Sequence, residues 1–255
     1  MSKTCPKFTT FGAMKKPKGT ILFVHGVCHA SWCWEEFFVP FFEKRGYTCR
    51  AISLTGHEPG RREPIHHLRL SRYIQDVEEA IRQIGAPPII IGHSMGGMIV
   101  QHYLKKGHSG KVILMSSIPP RGAFLSSLRV IAKYPIALKY LAKMDLLGLF
   151  LAKDELMFGT DMPRGKREAY KKQMCAESFR AYLQLLLPAR LKKKFPDQML
   201  VIGGDQDRIF TTREFEQTAR KYEADLDLIE GGAHDLMLDR RKKPVAEAML
   251  RWLEK

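Results

Sequence analysis

Apolar and polar positions alternate along this chain between two patterns. Short β-favouring runs at residues 20–24, 47–53, 88–91, 111–115, 199–202 and 226–229 predict buried strands. Between them, apolar side chains return every three or four residues. Residues 71–84 set Ile74, Val77, Ile81 and Ile84 on one helical face, and Gly85 follows as a stop. Helices are also predicted over 32–44 (despite Pro40), over 95–106, and from Thr211 to Tyr222. The Thr211–Glu214 spacing there is that of a capping box. A last helix covers 244–253, with Pro244 in its first turn. Strands alternating with helices in this way predict βαβ units and a mainly parallel α/β sheet.

The alternation is interrupted once. Residues 121–195 show helical patterns and no strand, which reads as a helical cap inserted into a single domain spanning 1–255. Within the cap, 124–153 is rich in Leu, Ile, Phe, Tyr and Met. Arg129, Lys133, Lys139 and Lys143 fall there within an arc of about 120° at 100° per residue, one cationic face of an amphipathic helix. Pro135 is expected to divide that helix in two.

Composition narrows the class. With 255 residues, 45% of them hydrophobic and 27% charged, the chain can bury a large core, which argues against disorder and coiled coil. The first residues carry no apolar h-region, and the five cysteines (Cys5, Cys28, Cys33, Cys49, Cys175) are scattered. The expectation is a cytoplasmic protein with reduced thiols. Charge is uneven: of the net +15, the 121–195 cap carries +10, from 16 basic and 6 acidic residues. Such a field suits an anionic partner or a simple solvated surface. No nucleic-acid motif accompanies it, so no nucleic acid is expected. Weak contact with an anionic membrane surface through the basic cap stands beside a merely wetted lid.

The chemistry concentrates at Gly92-His93-Ser94-Met95-Gly96, a G-x-S-x-G between a predicted strand and a predicted helix. Its glycines permit a tight turn that lifts the Ser94 hydroxyl clear of the sheet. The Met95 N–H then opens the helix and can face a developing oxyanion. A nucleophilic serine needs a base and an orienting acid. His234 lies just after the last predicted strand, and Asp205 and Asp207 both follow the strand before it. His25, Cys28, His29 and Cys33 do not fit metal-ligand spacings, so no metal is expected. No phosphate-binding glycine motif occurs, so no cofactor is expected.

With His25-Gly26-Val27 after the first central strand, the chain resembles the α/β-hydrolase superfamily over nearly its whole length. The resemblance implies a serine hydrolase of esterase or lipase type, with Ser94 as nucleophile and His234 as base. It places the acid at the end of Gly204-x-x-Asp207 and the second oxyanion donor at the Val27 N–H, and it matches the insert to the family's cap. The segment from His25 to Trp34 is most similar to plant methylesterases and hydroxynitrile lyases. The lyases carry threonine where Gly26 stands and lysine where Asp235 stands, so these departures favour ester hydrolysis. The expected partner is a small ester with an apolar acyl group. Acyl transfer, perhydrolysis, carbon–carbon hydrolysis or a ligand-receptor role would use the same fold.

Overall fold

A computed structural model describes residues 7–10, 17–108, 110–189 and 198–255. Seven strands form one sheet: β1 (Lys7–Thr10), β2 (Thr20–Val24), β3 (Thr48–Ser53), β4 (Ile89–His93), β5 (Val112–Met115), β6 (Met199–Gly204) and β7 (Asp225–Ile229). Their order is β1-β3-β2-β4-β5-β6-β7, parallel throughout except for β1, which runs antiparallel to β3. The apolar runs of β2, β4 and β5 are buried on both faces, as a helix-covered parallel sheet requires. β1 was not expected, because Lys-Phe-Thr-Thr offers no apolar run; its backbone pairs antiparallel with β3.

From β2 the chain moves to β3 on one side and returns to β4 on the other. The C-terminal ends of β2 and β4 therefore flank a crevice where the strand order reverses, the usual ligand position in such sheets. Val24 pairs with Gly92, which brings the residues after both strands alongside each other.

The expected helix over 32–44 is two helices, α1 (Trp32–Glu35) and α2 (Phe38–Glu43), broken at Phe37. The break puts Pro40 in the first turn of α2, where a missing N–H costs nothing. α3 (Leu70–Ile84) ends at Gly85, whose φ of +77° fits the left-handed stop. Its buried face centres on Tyr73, Val77 and Ala80, with Ile74, Ile81 and Ile84 only half-buried. Asp76 occupies part of that face, accepting the Thr55 N–H and hydroxyl at 2.8 and 2.9 Å. α4 (Met95–Tyr103) is buried from Met95 through Gln101 against the sheet.

The cap consists of α5 (Phe124–Lys133), α6 (Ile136–Ala142), α7 (Leu146–Ala152), α8 (Arg164–Gln173) and α9 (Phe179–Leu185), with no strand among its described residues. The Lys192–Lys194 run and the end of the expected insert lie outside the described residues. α10 (Thr212–Tyr222) opens on the expected capping box, and α11 (Lys242–Leu253) buries Val245, Ala248, Met249 and Trp252.

Pro135 separates α5 from α6 as expected, but the four cations do not form one face. They are shared between α5 and α6, on either side of Pro135, and Arg129 is drawn onto the buried Glu214 of α10. The cap's outer surface carries apolar side chains beside these cations. Eight of the ten exposed large hydrophobics among the described residues lie between Phe124 and Leu187. No helix among the described residues is long and apolar enough to cross a membrane. Cys28, Cys33, Cys49 and Cys175 are buried free thiols, and Cys5 lies outside the described residues.

Candidate active site

Ser94 sits between the end of β4 and the start of α4 with φ of +50°, a conformation a side chain adopts only under strain. The neighbouring glycines make the turn sterically feasible. A Cβ on Gly92 would fall 2.8 Å from the Gly96 carbonyl oxygen, and one on Gly96 would collide with the carbonyls of Val24 and His25. The Ser94 N–H is anchored on the Met115 carbonyl of β5 at 3.1 Å, so the hydroxyl stands above the sheet edge.

His234 reaches this hydroxyl from the loop after β7. Its Nε2 lies 3.0 Å from Ser94 Oγ, and its Nδ1 lies 2.8 Å from Asp207 Oδ2. The other Asp207 oxygen accepts the N–H groups of Ile209 and Phe210 at 2.7 and 3.0 Å, which fixes the carboxylate's orientation. Asp205 points elsewhere, accepting the Gly231 N–H at 2.7 Å, so only Asp207 touches the histidine. Burial alone would lower the His234 pKa. The charge and hydrogen bond of Asp207, aided by the charge of Asp235, outweigh burial and hold it above the ordinary histidine value.

The turn after β2 is fixed by its own histidines. His25 Nδ1–H donates to the Gly26 carbonyl at 2.8 Å, and its Nε2 accepts the Leu54 N–H at 3.0 Å. Burial, with the nearby charge of His57, holds its pKa well below the usual range and keeps the ring neutral. By gripping the Gly26 carbonyl, His25 orients the peptide whose opposite end is the Val27 N–H. Gly26 also lets the turn approach the elbow: a Cβ there would fall 2.7 Å from His93 Nδ1 and 3.0 Å from Ser94 Cβ. His29 Nδ1–H donates to the Val27 carbonyl at 2.7 Å, bracing the turn from below.

Two residues that sequence reasoning passed over complete this floor. Asp235, fully buried, lies 3.2 Å from His29 Nε2 and 3.6 Å from His93 Nε2. Burial would raise its pKa, but the charge of His29 holds it below the usual carboxylate value. His93 Nε2–H donates to the His234 carbonyl at 3.1 Å. Burial, then the charge of His234, lowers its pKa to about 3, so it stays neutral. In the sequence, Asp235 stood out only as the place where a lyase lysine is missing, and His93 only as the variable position of the elbow motif.

Above Ser94 lies a cleft walled by the cap. Val27 and Ser94 form part of its floor, while Val130, Ile131, Leu141 and Tyr182 belong to the cap. No charged side chain among the described residues lines it. The polar atoms of Ser126 and Ser127 are engaged with Glu214 and Tyr182, at 2.8 and 3.0 Å. Ligand atoms of His93, His234 and Asp235 lie within 4.8 Å of one another. Both His234 nitrogens already serve Ser94 and Asp207, so a cation held there would break the serine–histidine contact.

The chain matches the family described as "Alpha/beta hydrolase family" over residues 21–248. It is 32% identical over 92 residues to a pyrethroid hydrolase of Sphingobium wenxiniae, covering 36% of this chain and 32% of that protein. It is 31% identical over 80 residues to a methylesterase of Arabidopsis thaliana, covering 30% and 28%. The chain thus aligns with about a third of the length of these curated relatives. Among solved structures, an esterase from Exiguobacterium antarcticum superposes with a TM-score of 0.74 at 15% identity, covering 98% of this chain and 96% of that one. A hydrolase from Oleispira antarctica gives 0.75 at 15%, covering 98% and 95%. These likenesses establish the same fold.

Proposed function

Since the chain belongs to the α/β-hydrolase family, we propose that it is a serine hydrolase that cleaves carboxylic esters through an acyl-enzyme. The observation that carries this reading is the unbroken line of contacts from Ser94 Oγ through His234 to Asp207. Ser94 Oγ attacks the ester carbonyl carbon while His234 Nε2 takes its proton. Asp207 holds the Nδ1–H tautomer and stabilises the imidazolium without itself taking the proton. The N–H groups of Val27 and Met95 receive the tetrahedral oxyanion, each worth about 3 kcal/mol in comparable sites. Collapse breaks the ester C–O bond, and His234 returns the proton to the departing alcohol. Water then attacks the acyl-serine by the same route and releases the acid.

The finer parts of the reading concern substrate and partner. The uncharged, largely aliphatic cleft supports a neutral ester with an apolar acyl group, because a buried charge there would find no counter-ion. The cap's outer face supports docking on an anionic lipid surface. On α5, Phe124, Leu125 and Leu128 are exposed, with Lys133 five to nine residues further on; on α9, Arg180 and Leu183 are exposed three residues apart, and exposed Leu187 follows just beyond the helix end. Apolar side chains flanked by cations suit lipid headgroups, whereas two such faces would repel each other.

Fluorophosphonate labelling and turnover of p-nitrophenyl esters of increasing acyl length test the activity. The wild type is expected to label and to favour longer chains, and Ser94→Ala is expected to lose labelling and at least ~10³ in turnover with the fold intact. Labelling and hydrolysis retained in Ser94→Ala would overturn the reading.

A further inference from the structure

We infer that Glu177, contributed by the cap, is a positioning residue for the oxyanion-binding turn, so that the cap governs turnover as well as acyl choice. The inference rests on the ester-hydrolase reading above. Glu177 lies in the segment between α8 and α9, and its carboxylate is buried beneath the floor of the site. All of its recorded contacts are donors. Oε2 accepts the Cys28 N–H at 3.3 Å and faces His57 Nε2 at 2.9 Å; Oε1 accepts the Tyr73 hydroxyl at 3.0 Å and the Ser178 N–H at 2.7 Å.

The Cys28 N–H belongs to the Val27–Cys28 peptide, which immediately follows the peptide that presents the Val27 N–H. His29 holds the carbonyl end of this unit and Glu177 holds its N–H end. The cap grips the next peptide as well: the Cys175 N–H donates to the Cys28 carbonyl at 2.9 Å, and the Cys175 thiol approaches the His29 carbonyl at 3.4 Å. Cys28 itself has φ of +60°, so this backbone does not rest in an ordinary minimum and needs external restraint. Glu177 is in turn locked by His57. Both nitrogens of that ring face acceptors, Glu177 and the Thr55 carbonyl at 3.3 Å, so it can serve both only as an imidazolium. A buried ion pair is a costly way merely to fasten a cap that apolar packing already holds. Its placement on the peptide next to the oxyanion donor gives it a specific role.

The experiment compares wild type, Glu177→Gln and Tyr73→Phe, the last removing one of the donors that orient the carboxylate. Each is assayed with a p-nitrophenyl ester and with the trifluoromethyl ketone of the same acyl chain, which forms a tetrahedral adduct on the serine. Replacing the carboxylate by an amide puts a donor against a donor on one side of the site. For Glu177→Gln the expected result is a fall in kcat of about 10- to 100-fold, the scale of an ångström misplacement, with KM changed less than about threefold. The ketone's inhibition constant should rise by the same factor as kcat/KM falls. Tyr73→Phe should move both quantities in the same direction by a few-fold. A higher KM with unchanged kcat and unchanged ketone affinity would reduce Glu177 to a structural strut and overturn the inference. If Glu177→Gln fails to fold, Tyr73→Phe decides, and wild-type values there overturn it. A wild type that neither labels nor turns over esters would overturn the activity and this inference together. An active wild type matched by both variants would overturn this inference alone.

Discussion

The two walls of the cleft differ in what they present to a substrate. The sheet wall gathers Ser94, His234, Asp207, His25 and His29, linked in chains of hydrogen bonds that leave each ring one orientation. The cap wall presents aliphatic side chains to the cleft, and its α5 and α9 expose apolar side chains on their outer faces as well. Directional contacts fix atoms to within fractions of an ångström, which bond-making demands; apolar contacts fix volume, which selection of an acyl group demands. Chemistry should therefore be sensitive to single polar atoms on the sheet wall and at Glu177, the cap carboxylate that reaches behind it, and choice of substrate or surface to apolar bulk on the cap.

The largest test of that division is at the acid. Asp207→Asn is expected to cost about 10⁴ in turnover by favouring the wrong His234 tautomer, by the same factor for every acyl length, while Asp205→Asn is much milder. Stopped assays over the ester series check it, and the reverse ranking would move the role to Asp205. On the cap, replacing Phe124, Leu125 and Leu187 together by serine is expected to weaken sedimentation with anionic vesicles about tenfold or more. Turnover of a soluble short-chain ester should stay within about twofold. Wild-type binding should also be stronger to anionic than to zwitterionic vesicles and should fade with salt. Equal, negligible binding to both would leave the cap as wetted surface.

The smallest effect concerns Asp235. As a general base His234 must be neutral, and its pKa lies above the usual histidine value, so activity should climb with pH through a point above 6.5. Asp235 contributes to that elevation. Asp235→Asn is therefore expected to move the acidic limb of kcat/KM toward lower pH, and a limb that stays put or moves upward would remove Asp235 from that role.

How much of this could be read from the chain depended on whether a feature is local. The strands other than β1 and the elbow each announce themselves within about seven residues, and its place after the last strand, with the resemblance, paired His234 with Ser94. Asp205 and Asp207 could not be separated without the resemblance, because which carboxylate faces the histidine is decided by the Gly231 and Ile209 amides. The cationic arc failed because a helical wheel assumes one axis across Pro135. The α3 stripe was displaced because Asp76, a polar residue, took a buried place opposite Thr55. The pair His57–Glu177 was invisible in the sequence: its members are 120 positions apart, and neither sits in a motif.

The backbone at Ser94 has a consequence for how such a protein changes over time. Holding a serine at φ of +50° costs on the order of 1–3 kcal/mol, a sizeable part of the 5–15 kcal/mol by which a domain is usually folded. Glycine would relieve that strain at once, so a chain under selection for folding alone would drift to glycine at this position. Retaining serine in this conformation is stability forgone at every generation, and it leaves less margin for destabilising substitutions elsewhere in the sheet.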